Sequence, residues 1–176
     1  MNIAPELATI KPKKETVFTI GVFDGVHLGH QSLLNRLTNK ARRNGWLSGV
    51  ITFKSHPETV LTDSSQLPWL DDIDNRIKQL KSLGIDIVVA LSFTPELRQL
   101  SAEKFVQLLQ EHLKLRGLVI GPDFALGKDR QGTAQRLRSL GQKLGFSVEV
   151  VPPLVISGEV VSSSLIRQLL TQGDIK

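Results

Sequence analysis

Two histidines set the chemistry this chain could do. His27 and His30 lie three residues apart in Gly21-Val22-Phe23-Asp24-Gly25-Val26-His27-Leu28-Gly29-His30-Gln31. At the start of a helix that spacing lets both imidazoles reach one bound group, and phosphoryl oxygens suit them. Each ring can donate a hydrogen bond to an oxygen that gains charge in a transition state, and a partly protonated ring adds Coulombic attraction. Gly21, Gly25 and Gly29 leave the backbone unhindered, so N–H groups at a helix start can approach an anion. Two other readings stay open: a structural histidine pair capping a turn, or half of a metal site. Metal ligation is the weaker, since the chain has no Cys and only two further histidines, His56 and His112.

A strand before the histidines and a helix after them would hold this loop. Val17-Phe18-Thr19-Ile20 is an apolar, β-branched run without alternation, as in a buried strand, and Leu33, Leu34, Leu37 and Ala41 recur at helical spacing. A second anion site is written near the C-terminus, where Ser162-Ser163-Ser164 opens a helical run that carries Arg167 one turn on. Hydroxyls in that position also serve as an ordinary cap. A third loop, Gly121 to Gly132, leaves the strand Leu118-Val119-Ile120 with Asp123, Lys128 and Arg130. Its carboxylate could hold Mg²⁺ or a ribose hydroxyl, or merely cap a turn, and its cations could neutralise phosphates. Finally, the strand Leu47–Phe53 runs into Lys54-Ser55-His56-Pro57 at the end of a strand, where open α/β sheets place ligands. Phe53 there reads equally well as core.

Between these segments the pattern alternates. A helix opened by Asp71 or Asp72 carries Ile73, Ile77, Leu80 and Leu83, with Arg76 on a solvated or ion-paired face. Ile85–Leu91 is a strand, Thr94-Pro95 opens a short helical turn, and Ser101 caps a helix buried through Phe105, Leu108, Leu109 and Leu113, with His112 at the surface. Leu137, Leu140 and Leu144 mark another helix, Phe146–Val151 a fifth strand, and Leu154–Val161 a hairpin. Residues 61–70 read as a polar surface loop, and residues 1–16 as an edge strand or loose arm. The 176 residues, 40% hydrophobic and 22% charged, fit one domain with a sizeable core. No apolar run approaches the ~20 residues that span a bilayer, and no leader is evident, so a soluble, cytoplasmic protein is expected. The net charge of +5 is scattered and only 5% of residues are aromatic, which favours nucleotide over nucleic acid as the partner. Oligomeric state is not written in the pattern.

The histidine segment resembles the His-x-Gly-His signature of the nucleotidyltransferase superfamily, and Gly-x-Phe-Asp-Gly-Val-His-x-Gly-His-Gln resembles the opening of the adenylyltransferase module of prokaryotic FAD synthetases. Thr52-Phe53-Lys54-Ser55-His56-Pro57 is similar to that family's Thr-Phe-x-Pro-His-Pro, with Ser55 in place of proline. The loop from Gly121 is similar to Gly-x-Asn/Asp-Phe-x-Phe-Gly-x-x-Arg-x-Gly, with Leu126 in place of the aromatic. Ser162-Ser163-Ser164-Leu165-Ile166-Arg167 is close to Ser-Ser-Thr-x-x-Arg, and Val160 stands where many relatives have Arg.

Strands and helices alternate from Val17 to Val151, which argues for a parallel five-stranded sheet with helices on both faces, and the resemblance implies that this α/β fold is Rossmann-like. The resemblance also implies that AMP passes from ATP to FMN, giving FAD and pyrophosphate, with Mg²⁺ accompanying the ATP. His27, His30, Ser164 and Arg167 would be catalytic. Gly21, Phe23, Asp24, Gly25, Gly29, Ser162, Ser163, Lys128 and Arg130 would bind ATP; Phe53, His56, Pro57 and Phe124 would bind the flavin; Asp123 would serve the metal. Nicotinamide mononucleotide and phosphopantetheine are the alternative acceptors, and a non-catalytic nucleotide sensor is the alternative class. An aminoacyl-tRNA synthetase fragment would need a Lys-rich loop that is not visible. In bifunctional relatives a riboflavin kinase module follows. Here residues 1–176 read as one adenylyltransferase domain, so FMN but not riboflavin is the expected flavin substrate.

Overall fold

The computed structural model describes residues 3–55 and 70–173. The first element is a short helix, α1 (Ala4–Ala8), and the next is strand β1 (Thr16–Ile20), buried along its whole length. Helix α2 (Leu28–Asn44) follows the histidine loop and stops at Gly45, whose φ of 68° is the left-handed geometry that ends helices. Strand β2 (Leu47–Phe53), helix α3 (Ile73–Ser82) and strand β3 (Ile87–Leu91) come next. Asp72 caps α3 by accepting from the Asn75 N–H at 2.8 Å, so of the two aspartates offered by the sequence the second is the cap. Helices α4 (Pro95–Gln99) and α5 (Ala102–Leu113) are capped by Thr94 and Ser101 as their sequences require. Strand β4 (Leu115–Ile120) leads to a hairpin of β5 (Ala125–Leu126) and β6 (Gly132–Thr133), then to helix α6 (Ala134–Leu144) and strand β7 (Ser147–Val150). A second hairpin, β8 (Val155–Ile156) and β9 (Glu159–Val160), feeds the last helix, α7 (Ser163–Gln172).

The principal sheet has five strands in the order β3-β2-β1-β4-β7, all parallel. Alternation along β1 splits the core in two. Val17 packs with Leu34, Leu37, Val50, Leu80 and Val119 on the side of α2 and α3, whereas Phe18 and Ile20 pack with Ile51, Leu109, Leu118 and Ile120 on the side of α1, α5 and α6. Helices therefore cover both faces, as the unalternating strands require. The order reverses between β1 and β4, and the crevice outside the carboxyl ends of two such strands is where open α/β sheets bind ligands. The histidine loop leaves β1 and the loop from Gly121 leaves β4, so two of the four motifs meet at this reversal.

Three local expectations change. The N-terminal residues form a docked helix rather than a loose arm, with Ile3 and Leu7 buried against the α5 face. Arg76 is not solvated: it is 1% exposed, and only the ion-paired half of that expectation survives. Leu83 is exposed and falls off the apolar stripe of α3. His56, Pro57 and nearly all of the polar loop expected over 61–70 lie outside the described residues. No helix among the described residues is long and apolar enough to cross a membrane.

Candidate active site

The loop after β1 turns sharply through left-handed backbone. Phe23, Gly25 and Val26 have φ of 53°, 76° and 35°. Only the glycine takes such a value without strain, and a β-branched valine there stores on the order of 1–3 kcal/mol. The turn buries Phe23 and Asp24 and leaves His27 extended at φ −64°, ψ 172°, where it caps α2. His27 Nδ1 accepts from the His30 N–H at 3.3 Å, and the two rings stack with centroids 3.7 Å apart. Phe23 lies 5.0 Å from the His30 ring. The turn-capping reading and the phosphate reading are thus compatible, because one nitrogen of His27 caps and the other is left for a ligand.

Charge in the pair is restrained by its surroundings. Burial, His27 and Arg76 push the His30 pKa down to about 3. Burial also lowers His27, against an upward pull from Asp24. Both rings are therefore neutral at pH 7. Since Nδ1 of His27 accepts, its proton sits on Nε2. Nδ1 of His30 is buried without a partner among the described residues, and an unpaired acceptor is better tolerated there than an unpaired N–H, so His30 also carries its proton on Nε2. The pair presents two neutral donors.

Asp24 has a different place from the phosphate contact expected of it. Its carboxylate is 2% exposed and accepts from the Leu70 N–H at 3.0 and 3.1 Å, from the Asp71 N–H at 3.2 Å, and from the Arg167 guanidinium. Arg76 stands 3.9 Å away beneath it and also donates to the Phe53 and Asp71 carbonyls. Meanwhile the Asp24 carbonyl accepts from Ser163 Oγ at 3.1 Å. One residue thus fastens the histidine loop to the start of α3 and to the first turn of α7. Nothing in the sequence around Asp24 signalled this junction, since the groups that hydrogen-bond to it lie 46 to 143 residues away.

Across the junction, α7 begins with Ser162, whose Oγ accepts from the Leu165 N–H at 3.2 Å. Ser163 is committed to Asp24, and Ser164 is exposed. The helix start comes so close to α2 that a β-carbon on Gly29 would lie 2.8 Å from the Val161 carbonyl oxygen. Gly29 is what lets the His27-His30 turn and the serine turn approach, and it brings two helix N-termini, each favourable to anions, to one place.

On the opposite side of β1 lies a cavity of about 490 Å³. Ile20, Phe53, Phe93, Leu97, Phe105, Ala125 and Leu126 make it largely apolar, and Arg98, Asp129 and Arg130 add charge. Phe53, which the sequence leaves open between core and site, is on this lining and also packs against the core. Phe124 is not on the lining and packs instead against the core, and Leu126 takes the cavity position. Phe93 was missed by sequence reasoning, although its place just after β3 was a signal of the same kind as Phe53 after β2. The two rings meet edge to face, 5.5 Å apart at 89°. Asp123 and Lys128 are exposed on the loop after β4, and the Asp123 carbonyl accepts from Arg130 at 3.1 Å. Among the described residues no group of three or more acidic, His or Cys side chains could hold a metal ion.

Comparison with known proteins gives one consistent result. The FAD synthetase family profile matches residues 9–165. A bifunctional riboflavin kinase/FMN adenylyltransferase of Pseudomonas fluorescens is 35% identical over 176 residues, covering 99% of this chain and 56% of that protein. The protein of the same description from Buchnera aphidicola subsp. Schizaphis graminum is 34% identical over 168 residues, covering 94% and 54%. A crystal structure described as that of a macrolide-efflux protein from Streptococcus pneumoniae superposes with a TM-score of 0.87 at 27% identity, over 97% of this chain and 55% of that one. The chain spans about half the length of the curated relatives it matches. With the histidine turn, the serine turn and the sheet reversal all in the order of the family's motifs, this chain belongs to the FAD synthetase family.

Proposed function

We propose that the chain transfers the adenylyl group of ATP to FMN, giving FAD and pyrophosphate. The observation that carries this reading is the division of labour about β1. A two-helix anion site lies on one side of its carboxyl end, and an apolar cavity of about 490 Å³, walled by Phe53 and Phe93, lies on the other. The first suits the triphosphate and the second a planar, aromatic flavin ring. The membership of the family and its adenylyltransferase-named relatives support the same substrates.

In the step itself, an oxygen of the FMN phosphate forms a bond to the α-phosphorus of ATP, and the bond from that phosphorus to the bridging oxygen breaks with its electron pair leaving on pyrophosphate. A phosphate needs no general base near pH 7, so the protein's work is placement and charge stabilisation. Nε2–H of His27 and of His30 donate to phosphoryl oxygens as charge grows on them. The free N–H groups at the start of α7 and the Ser164 hydroxyl hold the leaving phosphates, and Arg167, steered by Asp24, adds positive charge at that end. Lys128 and Arg130 supply cations from the loop after β4. A lone exposed carboxylate at Asp123 fits a Mg²⁺ that arrives on the nucleotide, which needs few protein ligands, better than one held by the protein alone. Bound there, Mg²⁺ would neutralise phosphate charge.

Offering Mg-ATP with FMN, nicotinamide mononucleotide or phosphopantetheine in parallel, and weighing the products, tests the reading. FAD from FMN alone is expected; an adenylylated product from either other acceptor, with none from FMN, would reassign the cavity.

A further inference from the structure

Helix α1 carries no motif, yet it reaches the cavity wall through one carboxylate. Glu6 Oε1 accepts from Lys54 Nζ and from Ser92 Oγ, each at 2.8 Å, and Oε2 accepts from the Ser92 N–H at 3.2 Å. Lys54 Nζ also donates to Ser92 Oγ at 3.3 Å. Lys54 is the residue after Phe53 at the end of β2, and Ser92 is the residue before Phe93 at the end of β3. One carboxylate therefore clamps the two strand ends next to the two aromatic rings that wall the cavity. Among the described residues β3 is the edge strand, and beyond its last ladder residue no further strand of the sheet fixes the direction of the chain on its outer side. Glu6 supplies that fixing, and buried Leu7 and Ile3 anchor the helix that presents it.

We propose that Glu6 is a positioning residue for the flavin substrate, setting the Phe53–Phe93 wall through Lys54 and Ser92. The inference rests on the flavin reading of the cavity. It gives the N-terminal helix a part in substrate selection, because a Phe93 released from its edge-to-face contact would leave the ring slot wider and less planar. Among the described residues the hydrogen bonds of Glu6, Lys54 and Ser92 do not reach His27, His30 or the first turn of α7, so the effect is expected chiefly on one substrate. The charge on Glu6 is maintained in place: burial raises its pKa, but hydrogen bonds from Lys54 and Ser92 outweigh that and hold it below the ordinary value.

The test uses the full chain and two separate titrations, FMN followed by its own fluorescence and ATP followed by calorimetry, for wild type, Glu6→Gln and Glu6→Ala. Loss of an oriented wall should raise the Kd for FMN roughly 3- to 30-fold in Glu6→Ala, less in Glu6→Gln, and leave the Kd for ATP unchanged. Ser92→Ala combined with Glu6→Ala should add little to the single change, since both break the same clamp. A purely structural role would weaken both ligands together or lower thermal stability alone, and either outcome overturns the proposal. Unaltered FMN affinity in both Glu6 variants overturns it while leaving the flavin reading intact. Wild-type protein that binds ATP but not FMN overturns both.

Discussion

At the scale of single residues, the backbone hydrogen bond to His27 and the burial of His30 decide where the two rings carry their protons. In the proposed reaction His27 and His30 act as neutral donors, so His27→Ala or His30→Ala should lower kcat by roughly two or more orders of magnitude while ATP binding falls less. Steady-state kinetics beside ATP titration separates the two, and full turnover in both variants would remove the pair from the chemistry. Burial of His30 also shapes stability. Its folded pKa lies at about 3 against an ordinary value of 6.5, so between these values the unfolded chain binds a proton that the folded chain refuses. Stability is full above pH 6.5 and declines as the pH falls toward 3. Urea midpoints should drop between pH 7 and pH 4, and drop less for His30→Asn; equal slopes for the two proteins would place the ring in solvent. The histidines and Gly29 were legible in the sequence because motif and spacing are local. The proton placement was not legible, because it depends on the burial of His30 and on Arg76, which comes from a distant helix.

At the scale of elements, Asp24 joins three segments that are far apart in the chain: the histidine turn, the start of α3 and the first turn of α7. Its charge is buried together with the nearly inaccessible Arg76. Removing one partner of such a pair leaves the other charge buried, which costs about 3–5 kcal/mol. Asp24→Ala should therefore lower stability by that order in urea denaturation and raise the KM for ATP, because α7 loses its tether to the histidine turn. A loss under about 1 kcal/mol would mean that the pair is solvated in solution. The elements themselves were readable: β2, the caps of α4 and α5 and the glycine ends of α2 and α6 follow from apolar runs, hydroxyls and glycines in sequence. What escaped was α1. Its one buried large apolar residue is Leu7, joined by Ile3 just before the helix, and both gain their value from the α5 face they cover. Arg76 escaped for a related reason, since a guanidinium on an amphipathic helix is usually at the surface, and the Asp24 carboxylate and the Phe53 and Asp71 carbonyls that make its burial tolerable are brought to it by the fold.

At the scale of the whole molecule, the sheet order β3-β2-β1-β4-β7 does what no residue can do alone. It places the joined starts of α2 and α7 and an aromatic-walled cavity on opposite sides of one strand end, so that in the proposed reaction a nucleotide on one side and a flavin phosphate on the other would meet over Gly21. Alternation of strands and helices was enough to foresee a parallel sheet, whereas the strand order and its reversal between β1 and β4 come from pairings between distant segments and were not foreseen. The cavity was only half foreseen, through Phe53, because Phe93, Leu97 and Phe105 converge on it from separate elements. The central claim is that the bond broken lies between the α- and β-phosphates of ATP and that FMN receives the α-phosphorus. It is tested most directly by incubating the protein with FMN and Mg-ATP carrying label in the α-phosphate, then separating the flavins. Label is expected in FAD, in equal amount to the pyrophosphate released; label found only in AMP, or an unlabelled flavin product, would contradict the claim.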